Sequence, residues 1–228
     1  MTMDPFFKIL FFLYFFALLA IRAIFGLRVR KAGQSGWSVD RGAVKREGTG
    51  SILLRPLAFL TLIVLVMLYA VVPGEPDGLV LPLPVGLRVL GAALGILSLL
   101  FLIRVHDTRR EYWSTVLQLR ERHNLITGGP YRWIRHPMYS ALMLCFIGSA
   151  LLSAFWPLLL LAVLTVPFFY RIAVKEEAMM IEQFGGEYRA FTERTGRFWP
   201  RLSNPVRSSD LAGPGKGIFE FSVPGEKP

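Results

Sequence analysis

The 228-residue chain is poor in cysteine, histidine and acid: it has one Cys, three His and 16 Asp and Glu against 26 Lys and Arg. Charged residues make up 18% of the chain, where about 25% is ordinary for a soluble domain. One cysteine excludes an internal disulfide framework and any multi-cysteine zinc or iron–sulfur site. His106, His123 and His136 stand 17 and 13 residues apart, outside the HExxH spacing, so no metal site is expected. The chain has no GxSxG elbow, GxGxxG turn or phosphate-binding GxxxxGK(S/T) loop, which leaves a serine hydrolase, a Rossmann site and a P-loop without support. Cys145 falls in an apolar run, where a thiol serves packing. What is abundant is apolar: 53% of residues are hydrophobic, including 18 Phe. Counted with Gly and without Tyr the share is about 59%, against roughly 45–50% for globular domains. Neither a disordered chain nor an ordinary soluble enzyme fits that composition.

The apolar residues are clustered. Phe6–Phe25 forms a first block, with Lys8 and Arg22 near its ends, where long basic side chains snorkel. Asp4, the bulky Phe content and the lack of a small-residue cleavage site make it a retained anchor rather than a signal peptide. A second block runs from about Ile52 to Val72, with Arg55 and Pro56 expected in its first turn, where proline is tolerated. A third spans about Leu83–Ile103, after a turn stiffened by Pro73, Pro76, Pro82 and Pro84. Met138–Tyr170 is then uncharged for 33 residues. A single helix of that length would reach about 50 Å, beyond a hydrocarbon core of roughly 30 Å. Two short spans, about 137–152 and 155–171, with a turn at Ser153, Trp156 and Pro157, are expected instead; a re-entrant hairpin is the competing form.

Charge orders these spans. Segments 27–55 and 104–137 carry seven basic residues each and 171–228 carries nine, whereas 71–87 and 149–156 carry none. Alternating basic and bare loops imply five spans with the N-terminus outside and the C-terminus in the cytoplasm, in the inner membrane if the source is bacterial. The expected fold is an all-α integral membrane protein of about five transmembrane helices. The net charge of +10 is then a cytoplasmic collar that also attracts anionic membrane lipids. No nucleic-acid partner is expected, since no recognition module accompanies it.

The cytoplasmic segments carry the polar chemistry. Residues 33–50 read as a loop, and Arg109–Glu121 as an interfacial amphipathic helix. Lys175–Phe191 reads as a second helix, interrupted by Gly185 and Gly186, and the Gly- and Pro-rich residues from Asn204 as a mobile tail. In ITGGPYRWIRHPMY (126–139), Gly128, Gly129 and Pro130 force a bend. Tyr131, Arg132, Trp133, Arg135, His136 and Tyr139 then collect around the start of a helix that opens at Pro137. Free amides and arginines there favour an anion, although Arg, Trp and Tyr also simply anchor helices at the headgroup level. Arg171, Glu176, Glu177 and Tyr188 follow the last span, so His136 and Glu177 are expected at the same end of neighbouring helices. Adjacent Glu176 and Glu177 point different ways on a helix, so only one is expected to face inward.

The pairing of GGPYRWIRHPMY (128–139) with KEEAMMIEQFGGEYRAFTERTGRFWPRL (175–202) across an uncharged hairpin resembles the isoprenylcysteine carboxyl methyltransferase and phospholipid methyltransferase superfamily. The RHPxY pattern falls on Arg135, His136, Pro137 and Tyr139, and the paired glutamates on Glu176 and Glu177. The FGxxYxxY pattern falls on Phe184, Gly185, Tyr188 and Phe191, and the closing segment on Arg197, Phe198, Trp199 and Pro200. Ala141 and Phe191 depart from residues common in relatives, Gly and Tyr.

The resemblance implies three parts: spans in 1–104, a methyltransferase core in 105–203 and a flexible tail in 204–228. A cytoplasmic C-terminal helical segment would complete a pocket for S-adenosyl-L-methionine. His136 and nearby amides would hold the donor's carboxylate and Glu176 or Glu177 its amino group or ribose. Tyr131, Tyr139 and Tyr188 would pack on the adenosine or close the pocket. Arg135, Arg171 or another arginine would orient the acceptor, and Arg135, Arg171 and Glu177 are the catalytic candidates. The acceptor would be lipophilic or lipid-modified, methylated on a carboxylate, thiol or amine. An NADPH-dependent membrane reductase related to sterol reductases, or a non-catalytic protein with a degenerate pocket, are the rival implications. The sequence assigns no oligomeric state.

Overall fold

The computed structural model describes residues 5–31, 49–71, 78–109 and 125–201. The expected loop at 33–50 lies outside these residues as far as 48, its last two positions, Thr49 and Gly50, being helical instead; the tail from Asn204 and nearly all of the expected Arg109–Glu121 helix also lie outside them. The described chain is all-α: α1 Pro5–Lys31, α2 Thr49–Val71, α3 Val85–Arg109, α4 Pro137–Ser153, α5 Trp156–Phe184 and α6 Gly186–Arg194, with a 3-10 turn at Gly129–Arg132. Among the described residues the extended contacts are two isolated bridges, Val80 with Phe155 and Ile134 with Gly196. Pro5–Lys31, Val85–Thr108 and Trp156–Phe184 are long and apolar enough to cross a membrane, and Pro56–Val71 and Pro137–Ser153 are shorter apolar helices. Large side chains such as Phe16, Phe59, Ile96 and Val163 are exposed on their outer faces, as a lipid solvent requires and water would not tolerate over such an area.

Two boundaries differ from the sequence expectation. Helix α2 begins at Thr49, so Pro56 is interior rather than first-turn; within a membrane helix the freed carbonyl is re-satisfied locally. Helix α5 does not stop near Arg171 but continues to Phe184. Nothing between these residues breaks a helix, and Ile172, Ala173, Glu177 and Met179 extend the buried face. Gly185, at φ 53°, ends it, the left-handed stop that glycine supplies most readily.

The far turn of the hairpin is where 153–157 was expected. Ala154 adopts φ 54° and Phe155 is fully buried. The turn's backbone is tied down by Leu81 N–H to Ala154 O at 2.7 Å, Trp156 N–H to Leu79 O at 3.2 Å and the Trp156 indole to Gly78 O at 3.0 Å. Such closure is what irregular backbone needs at the membrane boundary. Phe7, Phe11, Phe15, Tyr69 and Leu158 pack around Phe155.

Helices α3 and α4 make the most extensive helix contact of the bundle, through glycine. A Cβ on Gly148 would meet Gly95 N at 2.8 Å and Gly91 O at 3.0 Å, and one on Gly95 would meet the Tyr14 ring at 3.0 Å. Gly91 and Gly95 are thus the small-residue pair that lets membrane helices approach backbone to backbone. Tyr14 of α1 donates to Cys145 O at 3.3 Å, and Ser98 sits 3.1 Å from Cys145 Sγ and bonds Gly95 O at 2.6 Å. Gly148→Leu is expected to destabilise the bundle by at least about 1–3 kcal/mol, the overpacking range, because it strikes backbone. Gly86→Leu, on the same helix pair but with open space around it, should be nearly neutral. Equal unfolding midpoints in detergent for the two variants would rule out the interlock.

Candidate functional site

The polar residues gather at the end of the bundle opposite the hairpin turn. Gly129, at φ 56°, opens the 3-10 turn, and a Cβ there would meet Thr108 Oγ1 of α3 at 2.6 Å. The turn carries the chain over α3 into His136, the N-cap of α4, with Pro137 in the first helical position. Proline costs nothing there, because its missing N–H has no helical acceptor.

Residues 195–200 cross back over this motif as a strap. Arg135 N–H donates to Gly196 O at 2.8 Å, His136 N–H to Arg197 O at 3.0 Å, and Gly196 N–H to Trp133 O at 3.0 Å. Ser140 Oγ donates to Phe198 O at 2.7 Å. The amides of Arg135 and His136, expected to meet a carboxylate, are therefore bonded within the protein.

At the centre is Glu177, on α5 beyond the apolar stretch that ends at Tyr170. Its Oε1 accepts from Arg135 Nε at 2.9 Å and Arg197 Nε at 3.0 Å, and its Oε2 from Arg197 Nη2 at 2.7 Å. The His136 imidazole lies between two carboxylates, with Nε2 at 3.2 Å from Glu177 Oε1 and Nδ1 at 3.2 Å from Glu176 Oε2. Tyr139 donates to the same Glu176 oxygen at 3.1 Å. Both glutamates therefore turn toward His136, contrary to the expectation of one. A ring inserted between two neighbouring helix positions is within reach of both long side chains.

Burial works against charge on both partners and is overcome by hydrogen bonding. Desolvation would raise the Glu177 pKa, but His136, Arg197 and Arg135 together hold it well below the ordinary carboxylate range. Desolvation would lower the His136 pKa, yet the bonds and charges of Glu176 and Glu177 raise it above the usual 6.5. An imidazolium donates from both nitrogens, the pattern this geometry requires.

The remaining expected site residues divide. Tyr139 is committed to two stacks, on His136 at 5.5 Å and on Phe169 at 5.0 Å, so it offers its hydroxyl more than its ring. Arg135 also donates through Nη1 to Thr192 O at 3.0 Å and to Thr195 O, placing a cation on the last carbonyls of α6, where the helix dipole favours one. Tyr188 is buried with Phe191 against Met180, Ile181 and Phe184; it anchors α6, and burial beside Glu177 and Glu176 pushes its phenol upward. Tyr131 packs toward Leu102, Val105 and Met138 rather than beside Glu177. Arg171 is exposed on α5.

Two members of the cluster were outside the expected set. Arg197 belongs to the closing segment that the sequence singled out, but nothing in the spacing pointed it at Glu177. Phe169 lies inside an apolar run, where no sequence signal marks it. Beside the strap, Phe101, Pro130, Trp133, Ile134 and Pro200 line an open apolar groove of about 500 Å³. Among the described residues no group of three or more His, Cys, Asp or Glu is placed to hold a metal ion.

Residues 87–187 match the family model described as phospholipid methyltransferase. That region takes in α3, the 128–139 motif, both hairpin helices and the start of α6, and so contains His136, Glu176 and Glu177. The chain is also 27% identical over 84 residues to the cobalt-zinc-cadmium resistance protein CzcN of Cupriavidus metallidurans, covering 37% of this chain and 39% of that protein. It thus spans about two fifths of the length of that curated relative.

Proposed function

We propose, on the premise that the region 87–187 belongs to the phospholipid methyltransferase family, that this protein transfers a methyl group from S-adenosyl-L-methionine to a lipophilic acceptor at the cytoplasmic face of a membrane. The observation that carries this is the His136 imidazole held between Glu176 and Glu177 at the motif-bearing end of the bundle. The chemistry of the set fits the donor: its ammonium and sulfonium call for carboxylate and aromatic neighbours. The Glu176 side chain is 25% exposed against 11% for Glu177, which makes it the more accessible of the two carboxylates. When bound, S-adenosylmethionine supplies an electrophilic methyl group.

In this reading Glu176 binds the donor's ammonium, oriented from behind by His136 Nδ1 and the Tyr139 hydroxyl. Glu177 serves by keeping His136 protonated, and Arg135 by holding Glu177 against α6. Tyr131 and Tyr188 support the walls on either side. Arg171, exposed where α5 leaves its apolar stretch, meets an anionic acceptor group. The groove lined by Phe101, Trp133 and Pro200 gives an apolar acceptor a place beside the strap. A carboxylate or thiolate acceptor needs no proton removed, so positioning and exclusion of water do most of the work, and no general base is assigned. The topology proposed is five spans with the N-terminus outside. The acceptor class ranges over isoprenylcysteine-like carboxylates, thiols and phospholipid amines.

The test is equilibrium binding of S-adenosylmethionine to the protein purified in detergent, with NADPH alongside. Saturable binding is expected, weakened about tenfold or more by His136→Ala, the loss of about 1.4 kcal/mol. Folded protein that takes no S-adenosylmethionine in detergent or lipid discs would sink the reading, and NADPH binding would point to reduction. Donor binding without turnover of any acceptor in lipid extracts would identify a degenerate pocket.

A further inference from the structure

We propose that Arg197 is the positioning residue of this site, a role that rests on the methyltransferase reading above. It acts from both sides of His136. Its carbonyl receives the His136 amide at 3.0 Å, while its guanidinium grips both Glu177 oxygens, at 3.0 and 2.7 Å. One residue thus fixes the backbone of the imidazole and the carboxylate facing that imidazole's Nε2. The forked geometry matches a carboxylate in two parallel bonds, which a lysine does not reproduce.

The arginine also joins separate parts of the chain. The strap's bonds to the motif run through backbone groups, Ser140 and the Arg135 guanidinium, which donates to Thr195 O. Arg197 adds a charged tie from the strap to α5, where its guanidinium lies 4.9 Å from the centre of the Tyr170 ring. Arg135, the other arginine on Glu177, is anchored to the end of α6 and reaches α5 from the motif side. Removing Arg197 therefore leaves Glu177 ionised by Arg135 and His136 and linked to the strap only through Arg135 at Thr195, without its direct fork. The far part of the strap then loses its hold on α5, the His136 amide loses a fixed acceptor, and Glu176 loses the stationary imidazole that orients it. Arg197 is 28% exposed at its side chain, so the tie is at the edge of the site rather than in the core of the bundle.

The experiment compares wild type, Arg197→Gln and Arg197→Lys as full-length protein in detergent, by amide hydrogen exchange and by S-adenosylmethionine binding. In Arg197→Gln the amides of Arg135, His136 and Gly196 are expected to exchange about tenfold faster or more, the scale of one charged hydrogen bond. Amides of the α3–α4 contact should keep their wild-type rates, and donor affinity should fall by a similar factor. Arg197→Lys, which keeps the charge but not the fork, should recover part of both. Unchanged exchange at the three amides would overturn the proposal, and so would acceleration that extends equally into α3 and α4. Affinity lost with no change in exchange would also overturn it, making Arg197 a direct ligand instead. If wild type takes up no S-adenosylmethionine the methyltransferase reading fails, and the exchange rates alone decide whether Arg197 holds the strap.

Discussion

Glu177→Leu is expected to be the most damaging single substitution at the motif-bearing end of the bundle. Glu177 is the shared counter-ion of Arg135, Arg197 and His136, with a side chain 11% exposed. Removing it strands three donors in a site where each was desolvated in exchange for that carboxylate. Breaking a buried pair from one side costs about 3–5 kcal/mol. The unfolding midpoint in mixed detergent micelles should fall accordingly, and S-adenosylmethionine binding should be lost. Glu176→Gln is the contrast: a more exposed carboxylate that bonds the imidazole and the Tyr139 phenol, for which about 1 kcal/mol is expected, with donor binding still abolished. Stability equal in the two variants would contradict the central place given to Glu177.

The pH dependence has the same origin. Glu177 is depressed on folding, so its contribution is present above the ordinary carboxylate pKa of 4.5 and fades as pH falls toward its lower folded value. His136 is raised, so its contribution is complete below 6.5 and fades as pH climbs through its higher folded value. The site therefore holds together across the neutral range and loosens at both ends.

Gly196→Ala is expected to abolish donor binding while leaving the membrane bundle intact. A Cβ at this position would fall on the Trp199 carbonyl oxygen, with Trp199 C at 2.9 Å and Arg201 N at 3.3 Å behind it. The strap can admit the methyl only by opening. Opening removes the acceptors of the Arg135 and His136 amides together with the register that brings Arg197 to Glu177. The obstruction is backbone, which cannot move aside as a flexible side chain does. Gly186→Ala is the control, since a Cβ there meets nothing within 4 Å. Binding titrations and circular dichroism on both variants check this: wild-type affinity in Gly196→Ala would show that the strap does not need this close turn.

Much of the architecture was legible because apolar runs and loop charge record the bilayer directly. The turn between α4 and α5 was visible as a length argument, 33 uncharged residues being too many for one helix. The end of α5 was not, because charge begins at Arg171 while helix geometry does not care about charge; only Gly185 stops it. The inward turn of both glutamates was hidden for a similar reason. A helical wheel assigns faces to Cβ atoms, and two long side chains can close on a ring from neighbouring positions. The glycines at 91, 95 and 148 read as ordinary members of apolar spans, since their meaning lies in which helix approaches them. His136, Glu176, Glu177 and Tyr139, which the motif singled out, stand in contact with one another. Arg197 was visible only as part of a closing segment, because its partner lies 20 residues away across a strap whose path no local pattern encodes.

The unbroken course of α5 makes it a ruler. Its apolar stretch, Trp156 to Tyr170, rises about 21 Å and the seven residues from Arg171 to Glu177 about 10 Å more, at about 1.5 Å per residue. Since one helix, with Pro167 inside it, carries both stretches, the height of the carboxylate pair above the bilayer follows how deeply the helix is seated. A thicker or thinner membrane shifts that seating by tilt or local deformation of the lipid, and carries the carboxylate pair up or down with it. Under the proposed function, lipid composition would thereby set how far an acceptor's reactive group must rise from the headgroup plane to meet the methyl group.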